Sequence, residues 1–288
     1  MYWYRMETSL GNRSLVGSTI KNPSLLPEHL NSDEKHSHLK GKKVYVATTV
    51  ADGCILGAEL STTADESGLT EAYGVFKSES QQLNPNYQPK TVTTDGWAAT
   101  KKSFSSLFPH ITLLQCFLHI FIKIRDRSKR KYRDQFLEAA DRLWNCYKAE
   151  TKQVFSQRVR RLYEWSLGDT QLPEVIRHPI KKLRENIKDF KAFYDFENAF
   201  RTSNMVDRLM QRMDHHLFDS QYFSGNFSSA KKGIRAWALT FNFAPFNPMT
   251  VAKHQGIRSP AEKLNGKKYH DNWLQNLLIS SSMAGFPP

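Results

Sequence analysis

The order of strand and helix signals over residues 28 to 116 constrains the fold more than any other feature of this chain. β-Branched and aromatic residues predict five strands, and apolar residues at helical spacing predict two helices between them. In chain order, these elements are strands at 28–33, 43–50 and 54–60, a helix at 64–83, a strand at 91–94, a helix at 97–108 and a strand at 111–116. The order βββαβαβ indicates an α/β domain with a mixed five-stranded sheet.

After Cys116 the strand signals stop, and residues 117–199 are helical, basic and aromatic. Their apolar residues recur at helical spacing, which predicts an all-helical insertion with helices at 117–127, 132–148, 151–166 and 179–194. The core is expected to resume at 200–245, with helices at 204–217 and 230–243. Residues 1–27 are predicted to be an N-terminal remnant or linker, and residues 246–288 a tail with a short amphipathic stretch at 272–279.

The chain carries a large excess of basic residues, 41 Lys and Arg against 28 Asp and Glu, with a formal charge of +13. Such an excess favours a polyanionic partner, either nucleic acid or an anionic membrane surface. Nucleic acid is favoured, because no apolar run approaches the roughly 20 residues of a membrane span. The chain start lacks the apolar core of a signal peptide, and three scattered cysteines do not suggest a disulfide framework. We therefore expect a cytoplasmic protein.

Three acidic residues stand in settings from which an α/β domain could bring them together. Asp33 ends the first predicted strand, Asp95 follows the strand at 91–94, and Asp207 falls in the first turn of the helix at 204–217. Phosphoryl transfer on a nucleic-acid backbone needs hard oxygen ligands that hold two Mg²⁺ ions roughly 3.5–4 Å apart. Carboxylates on separate elements supply such ligands, so these three residues predict a site for two Mg²⁺ or Mn²⁺ ions.

Each acid also has an ordinary structural interpretation. An isolated acid such as Asp33 in a polar turn is usually only solvated, and Glu34 becomes the rival ligand if the strand register differs. Asp95 fits an Asp-Gly turn or a helix N-cap. Asp207 in a first helical turn is favoured by the helix dipole, and Asp214, two turns later, is the substitute ligand.

Four motifs then occur in a fixed order: Asp33-Glu34 before the strand at Gly41–Val46, Thr94-Asp95-Gly96, Cys116-Phe117-Leu118-His119, and Thr202-Ser203-Asn204-Met205-Val206-Asp207. Together they resemble the DDE/D transposases of prokaryotic insertion sequences, whose retroviral-integrase-like core is also seen in Mutator-like and hAT elements. The last motif resembles the Thr/Ser-Asn-x-x-Glu signature that carries the family's third acid. The resemblance covers about residues 28 to 245.

The resemblance implies a ribonuclease-H-like core in which Asp33, Asp95 and Asp207 hold the ions and catalyse DNA cleavage and strand transfer. Cys116, His119 and Asn204 would support that site, although a buried structural cysteine is an equally good interpretation of Cys116. The third acid of this chain is Asp207, whereas Glu is the more common third acid in the family that it resembles. Only 32 residues precede Asp33, where such transposases carry a module that reads the element's ends, so we expect a truncated chain or an internal start codon.

A dense basic run follows the third motif, and it favours DNA contact because neutralising phosphates gives sequence-independent affinity. It consists of Lys123, Arg125, Arg127, Lys129, Arg130, Lys131 and Arg133. The function predicted is that of a nucleoid-associated bacterial transposase acting on transposon ends and target DNA, with homo-oligomerisation expected from the resemblance. The alternatives are a non-catalytic, DNA-binding remnant or domesticated protein, and a nuclease without strand transfer.

Overall fold

Residues 2–223 and 225–283 are described in the computed structural model. The strands are β1 His29–Leu39, β2 Lys42–Ala51, β3 Cys54–Ser61, β4 Thr91–Thr94 and β5 Thr112–Gln115. The helices before the insertion are α1 Tyr2–Gly11, α2 Leu15–Thr19, α3 Glu66–Leu83 and α4 Ala98–Leu107. Those that follow are α5 Phe117–Ser128, α6 Arg133–Tyr147, α7 Lys152–Gly168, α8 Glu174–Glu185, α9 Ile187–Lys191, α10 Asn204–Asp219, α11 Phe227–Phe243, α12 Pro248–Lys253, α13 Pro260–Asn265 and α14 Trp273–Met283. Within these ranges, no helix is long and apolar enough to cross a bilayer.

The five strands form one sheet in the order β3-β2-β1-β4-β5. β1 pairs antiparallel with β2, and β2 pairs antiparallel with β3, with Asp33 opposite Thr48. Helix α3 connects β3 to β4, which lies on the far side of β1, so the chain crosses over the sheet. The predicted mixed five-stranded sheet and ribonuclease-H-like fold are confirmed.

β1 is longer than the sequence pattern predicted, because it continues through Leu39 instead of ending at Asp33. The expectation that Asp33 precedes a polar turn is therefore wrong. The residues after it alternate between the two faces: Ser37 and Leu39 are buried, whereas His36 and His38 are exposed. The alternation is typical of a half-buried strand, and the polar composition of this stretch concealed it.

The chain divides into two compact units, the first comprising Met1–Val92, Trp97–Ile111 and Met205–Pro288, and the second comprising Thr93–Gly96 and Thr112–Asn204. In the first unit, α10 and α11 pack on one face of the antiparallel strands. Val44 and Val46 of β2 share a core with Val206 and Met213 of α10. α3 and α4 pack on the other face, where Tyr73 and Phe104 are fully buried.

The N-terminal helices α1 and α2 belong to the first unit, and Leu10 and Leu15 are buried in its core. Arg235 of α11 forms hydrogen bonds with the segment between these two helices. Its guanidinium donates to the carbonyl oxygens of Gly11 at 3.1 Å and Arg13 at 2.8 Å. It also pairs with two buried carboxylates, Glu59 of β3 and Glu79 of α3.

The second unit has its own apolar core, formed by helices α5 to α9. One predicted boundary is wrong there: α8 begins at Glu174, and Pro179 lies inside it rather than at its start. A proline at the sixth helical position removes a single intrahelical hydrogen bond, and burial of its ring with Ile176 and Ile180 offsets that loss. The helical run predicted to 194 is broken at Asn186, after which come α9 and a short 3-10 turn, Ala192–Asp195.

Candidate active site

Asp33 and Asp207 lie close together in the first unit. Asp33 is on the face of β1 against which α10 packs, and Asp207 projects from the first turn of α10. Both side chains are half-buried, and a carboxylate oxygen of one lies within 4.8 Å of a carboxylate oxygen of the other. Because Mg²⁺–oxygen bonds are about 2.1 Å long, a small side-chain adjustment lets two oxygens at this separation bind one ion.

The orientation of Asp207 follows from the apolar pattern of α10. The residues of the helix that face the sheet are buried: Val206, Leu209, Met210, Met213 and Leu217. Met210 contacts β2 directly, because the Thr48 hydroxyl lies 3.9 Å from its sulfur. Asp207 is next to this apolar stripe, so packing of the stripe on β1 and β2 brings its carboxylate to the side of the sheet that Asp33 faces.

The two rival ligands have other partners. Glu34 has the opposite strand parity and is buried on the α3 side of the sheet, where it accepts hydrogen bonds from Tyr73 Oη at 2.5 Å and Thr100 Oγ1 at 2.6 Å. Asp214 of α10 forms an ion pair with Lys35 at 2.6 Å. Neither arrangement points these carboxylates at an ion shared with Asp33.

Asp95 belongs to the second unit, where it follows the last residue of β4. The N-cap position of α4 is occupied by Trp97, whose side chain makes no capping bond. Gly96 has φ +95°, and a Cβ atom there would lie 2.4 Å from Gln115 Nε2. Glycine is therefore required after Asp95, which explains the Asp-Gly pair without assigning Asp95 a turn-forming role.

Cys116 and His119 lie in a hydrogen-bonded cluster within the second unit. Cys116 is fully buried at the N-terminus of α5, and its sulfur accepts hydrogen bonds from the Ser203 amide and the Ser203 hydroxyl, each at 3.1 Å. The Ser203 hydroxyl is also 3.3 Å from His119 Nδ1. Ser203 directly precedes Asn204, the exposed first residue of α10, so the cluster fixes the chain where that helix begins.

The pKa of the Cys116 thiol is lowered from 9.0. Burial raises it, but the hydrogen bond and charge of His119, together with the two Ser203 hydrogen bonds, outweigh burial. The other two thiols differ: burial raises the pKa of Cys146 to about 12, and burial raises that of Cys54 further.

We expect Cys116 to be the first cysteine to ionise as the pH rises. Its folded pKa is depressed, so its stabilising contribution is complete above the unfolded pKa and is lost as pH falls through the folded pKa. The thiolate ultraviolet absorbance of the native chain should show one step below pH 9, and Cys116→Ser should abolish it. Persistence of that step in Cys116→Ser, with loss in Cys146→Ser, would contradict this assignment.

The predicted basic run extends from the second half of α5 through the following loop to the first residue of α6. Arg125 is half-buried and pairs with Asp126 at 2.8 Å. The other members are exposed, and among the described residues none has a carboxylate partner: Lys123, Arg127, Lys129, Arg130, Lys131 and Arg133. Uncompensated charge of this density attracts a polyanion.

The family of the chain follows from a comparison with family models. Residues 34–239 match the model described as Transposase, Mutator family. The chain belongs to this family. The matched segment includes Asp95, His119 and Asp207, and it begins one residue after Asp33. No curated protein matches the chain.

Sequence reasoning did not single out Ser203 or Arg201, which secure the segment before α10. The Arg201 guanidinium is surrounded by aromatic rings of the second unit, with its carbon 4.5 Å from the centre of Tyr147 and 5.1 Å from that of Tyr194. Its position directly before the Thr202-Ser203-Asn204 motif was the available signal. The aromatic partners come from α6 and the 3-10 turn, so the contact itself was not deducible from the local sequence.

Proposed function

We propose that this Mutator-family chain cleaves DNA at transposon ends and transfers the freed strand to target DNA, with Asp33, Asp95 and Asp207 as the ligands of two Mg²⁺ or Mn²⁺ ions. Membership of the family implies DNA transposition. The observation that carries the catalytic proposal is the approach of Asp33 and Asp207, two carboxylates 174 residues apart in sequence, to within 4.8 Å.

The donor set fits hard divalent cations. Carboxylate oxygens are the ligands that Mg²⁺ prefers, and Asp33 and Asp207 offer one such oxygen each at this separation. In the sheet, β4 is the strand next to β1, and Asp95 directly follows β4. This topology supports Asp95 as the third ligand, because α/β sheets build sites at strand ends.

When bound, the ions would activate the attacking oxygen and stabilise the leaving oxygen of an in-line displacement. The chain's own residues bind and orient the DNA. The exposed basic run neutralises backbone phosphates, and the Cys116–Ser203 hydrogen bonds hold the start of α10. We further propose that residues 28–116 and 200–245 form the catalytic core, residues 117–199 serve as its helical insertion, and the active species is a homo-oligomer.

The second candidate function is DNA binding without catalysis. It is favoured by the basic run, whose unpaired charges lie on helices and a loop of the second unit. These charges can bind DNA phosphates without a metal ion. A remnant that had lost transposition would keep this surface. A metal-dependent nuclease would give cleaved DNA without joined strands. These products distinguish it from both the transposase and the non-catalytic DNA-binding protein.

The test is metal-dependent cleavage and joining of DNA that carries the element's terminal sequences, comparing the native chain with Asp95→Asn. We expect nicked and joined products only with Mg²⁺ or Mn²⁺, and a loss of about 10³-fold in Asp95→Asn, because metal stabilisation is worth several kcal/mol and each 1.4 kcal/mol is tenfold.

Asp141→Asn is the matched control, because Asp141 is an exposed acid of α6 in the same unit. It should retain native activity. DNA binding without cleavage in every variant, also when the chain is extended upstream of Met1, would establish the binding function instead.

A further inference from the structure

The hairpin between β1 and β2 turns on two residues, Lys40 and Gly41, with φ values of 51° and 76°. The hairpin between β2 and β3 has the same geometry, with φ 51° at Asp52 and 83° at Gly53. Such turns place both residues in the left-handed region and favour Asn-Gly or Asp-Gly. Asp52 matches that preference, whereas Lys40 does not, so folding alone does not explain a lysine at the tip of the first hairpin.

This tip is also a patch of uncompensated positive charge. Lys40, Lys42 and Lys43 are exposed, and no carboxylate in the described part of the chain forms an ion pair with them. Other lysines of the first unit are neutralised, such as Lys35 by Asp214 and Lys102 by Glu66. The charge at the tip is therefore available to a partner.

The flank of the tip carries polar rings. His36 is exposed beside Tyr45 and Trp97, with ring centroids 5.0 Å and 5.9 Å away. His38 lies opposite Lys43 in the strand register, on the same face. Lysines interleaved with polar rings form a surface suited to a nucleic-acid backbone, which takes cations and hydrogen-bond donors.

We propose that the hairpin tip, defined as Lys40, Lys42 and Lys43 with the flanking His38, binds the phosphate backbone of the DNA substrate. It is a second contact surface, distinct in sequence from the basic run. The proposal rests on the proposed function, because it takes DNA as the substrate. β1 extends six residues from Asp33 to Leu39, about 20 Å at roughly 3.3 Å per residue. One duplex turn is about 34 Å, so this distance is shorter than a single turn of a bound duplex.

The experiment measures duplex DNA affinity against salt concentration, with a chelator present so that cleavage plays no part. Lys40→Asn is the sharpest single variant, because it removes a charge and inserts a residue that the turn prefers. We expect unchanged or higher thermal stability but weaker binding. In Lys40→Asn/Lys42→Gln/Lys43→Gln, the salt slope should fall by about 2 to 3, and affinity about tenfold, because each phosphate contact contributes about 0.9 to the slope.

Lys102→Gln is the matched control, since Glu66 already compensates Lys102. An unchanged slope and affinity in the triple variant would overturn the hairpin proposal. If Lys129→Gln/Arg130→Gln/Lys131→Gln then lost affinity, DNA binding and the proposed function would stand without it. A native chain that bound no DNA would overturn both.

Discussion

Replacing Asp207 by Asn is expected to reduce metal-dependent DNA cleavage by about 10³-fold or more, because the variant loses a charged ligand to ions that stabilise the reaction by several kcal/mol. Asp33→Asn should have an equal effect, since its oxygen lies within 4.8 Å of the Asp207 carboxylate. The two effects should not add, because either change removes the same metal site. Cleavage rates over a range of Mn²⁺ concentrations measure both.

Asp214→Asn is the control for this prediction. Asp214 lies on the same helix, seven residues from Asp207, and its partner is Lys35 rather than Asp33. Loss of that exposed ion pair should change stability by less than about 1 kcal/mol and leave cleavage at the native rate. Full activity in Asp207→Asn together with inactivity in Asp214→Asn would reassign the third acid.

The variant Asp207→Glu separates the effect of the ligand's charge from the effect of its side-chain length. In the Thr/Ser-Asn-x-x-Glu signature that the motif at 202–207 resembles, Glu stands at the position of Asp207 and is one methylene longer. Asp207→Glu should retain most of the cleavage activity if the first turn of α10 has room for that methylene, because the ligand charge is unchanged. Its comparison with Asp207→Asn therefore shows whether the site requires the charge itself or the shorter side chain.

Local sequence signals were sufficient for the order of strands and helices along the chain, but not for the length of the first strand. The Asp52-Gly53 turn and the β-branched residues of β2 predicted the second hairpin directly. β1 continued for six residues through Lys35, His36 and His38, whose composition is that of a solvated loop. Those residues stay extended because β2 pairs with them across the Lys40-Gly41 turn, and a Lys-Gly pair is a weaker hairpin signal than the Asp-Gly pair of the second hairpin.

The orientation of the acids was partly predictable. The two-residue period of a strand requires Glu34 to point away from the Asp33 face, and Glu34 is indeed bound by Tyr73 and Thr100 on the other side of the sheet. The Ser203 bonds to Cys116 were not predictable, since the two residues are 87 positions apart. Contacts of that separation depend on how the insertion folds back, which no local periodicity encodes.

The buried ion network at Arg235 was likewise not predictable from the sequence. Among the substitutions considered, Arg235→Ala should cause the largest loss of stability. Arg235→Ala leaves Glu59 and Glu79 buried without their shared cation. Breaking a buried ion pair costs about 3–5 kcal/mol. In a chain of this size, that corresponds to a fall of about 10 °C in the melting temperature, which calorimetry measures.

The loss should be smaller at acidic pH. Burial already raises the pKa of Glu59 from 4.5 against the opposing effects of Arg235 and Lys231. A carboxyl whose folded pKa is raised contributes stability that is fully present below the unfolded pKa and lost as pH rises through the folded pKa. Without Arg235 the folded pKa rises further, so the variant should approach the native melting temperature as the pH falls toward 4.5.

Two further variants distinguish the destabilisation caused by unpaired buried charges from the destabilisation caused by lost side-chain volume. Lys231→Ala removes the exposed partner of Glu59, and it should cost less than about 1 kcal/mol. Arg235→Met/Glu59→Gln/Glu79→Gln leaves no unpaired buried charge and should recover much of the stability lost in Arg235→Ala. Equal melting temperatures for Arg235→Ala and this triple variant at neutral pH would show that Arg235 acts through its hydrogen bonds to Gly11 and Arg13, as the clasp of the N-terminal helices.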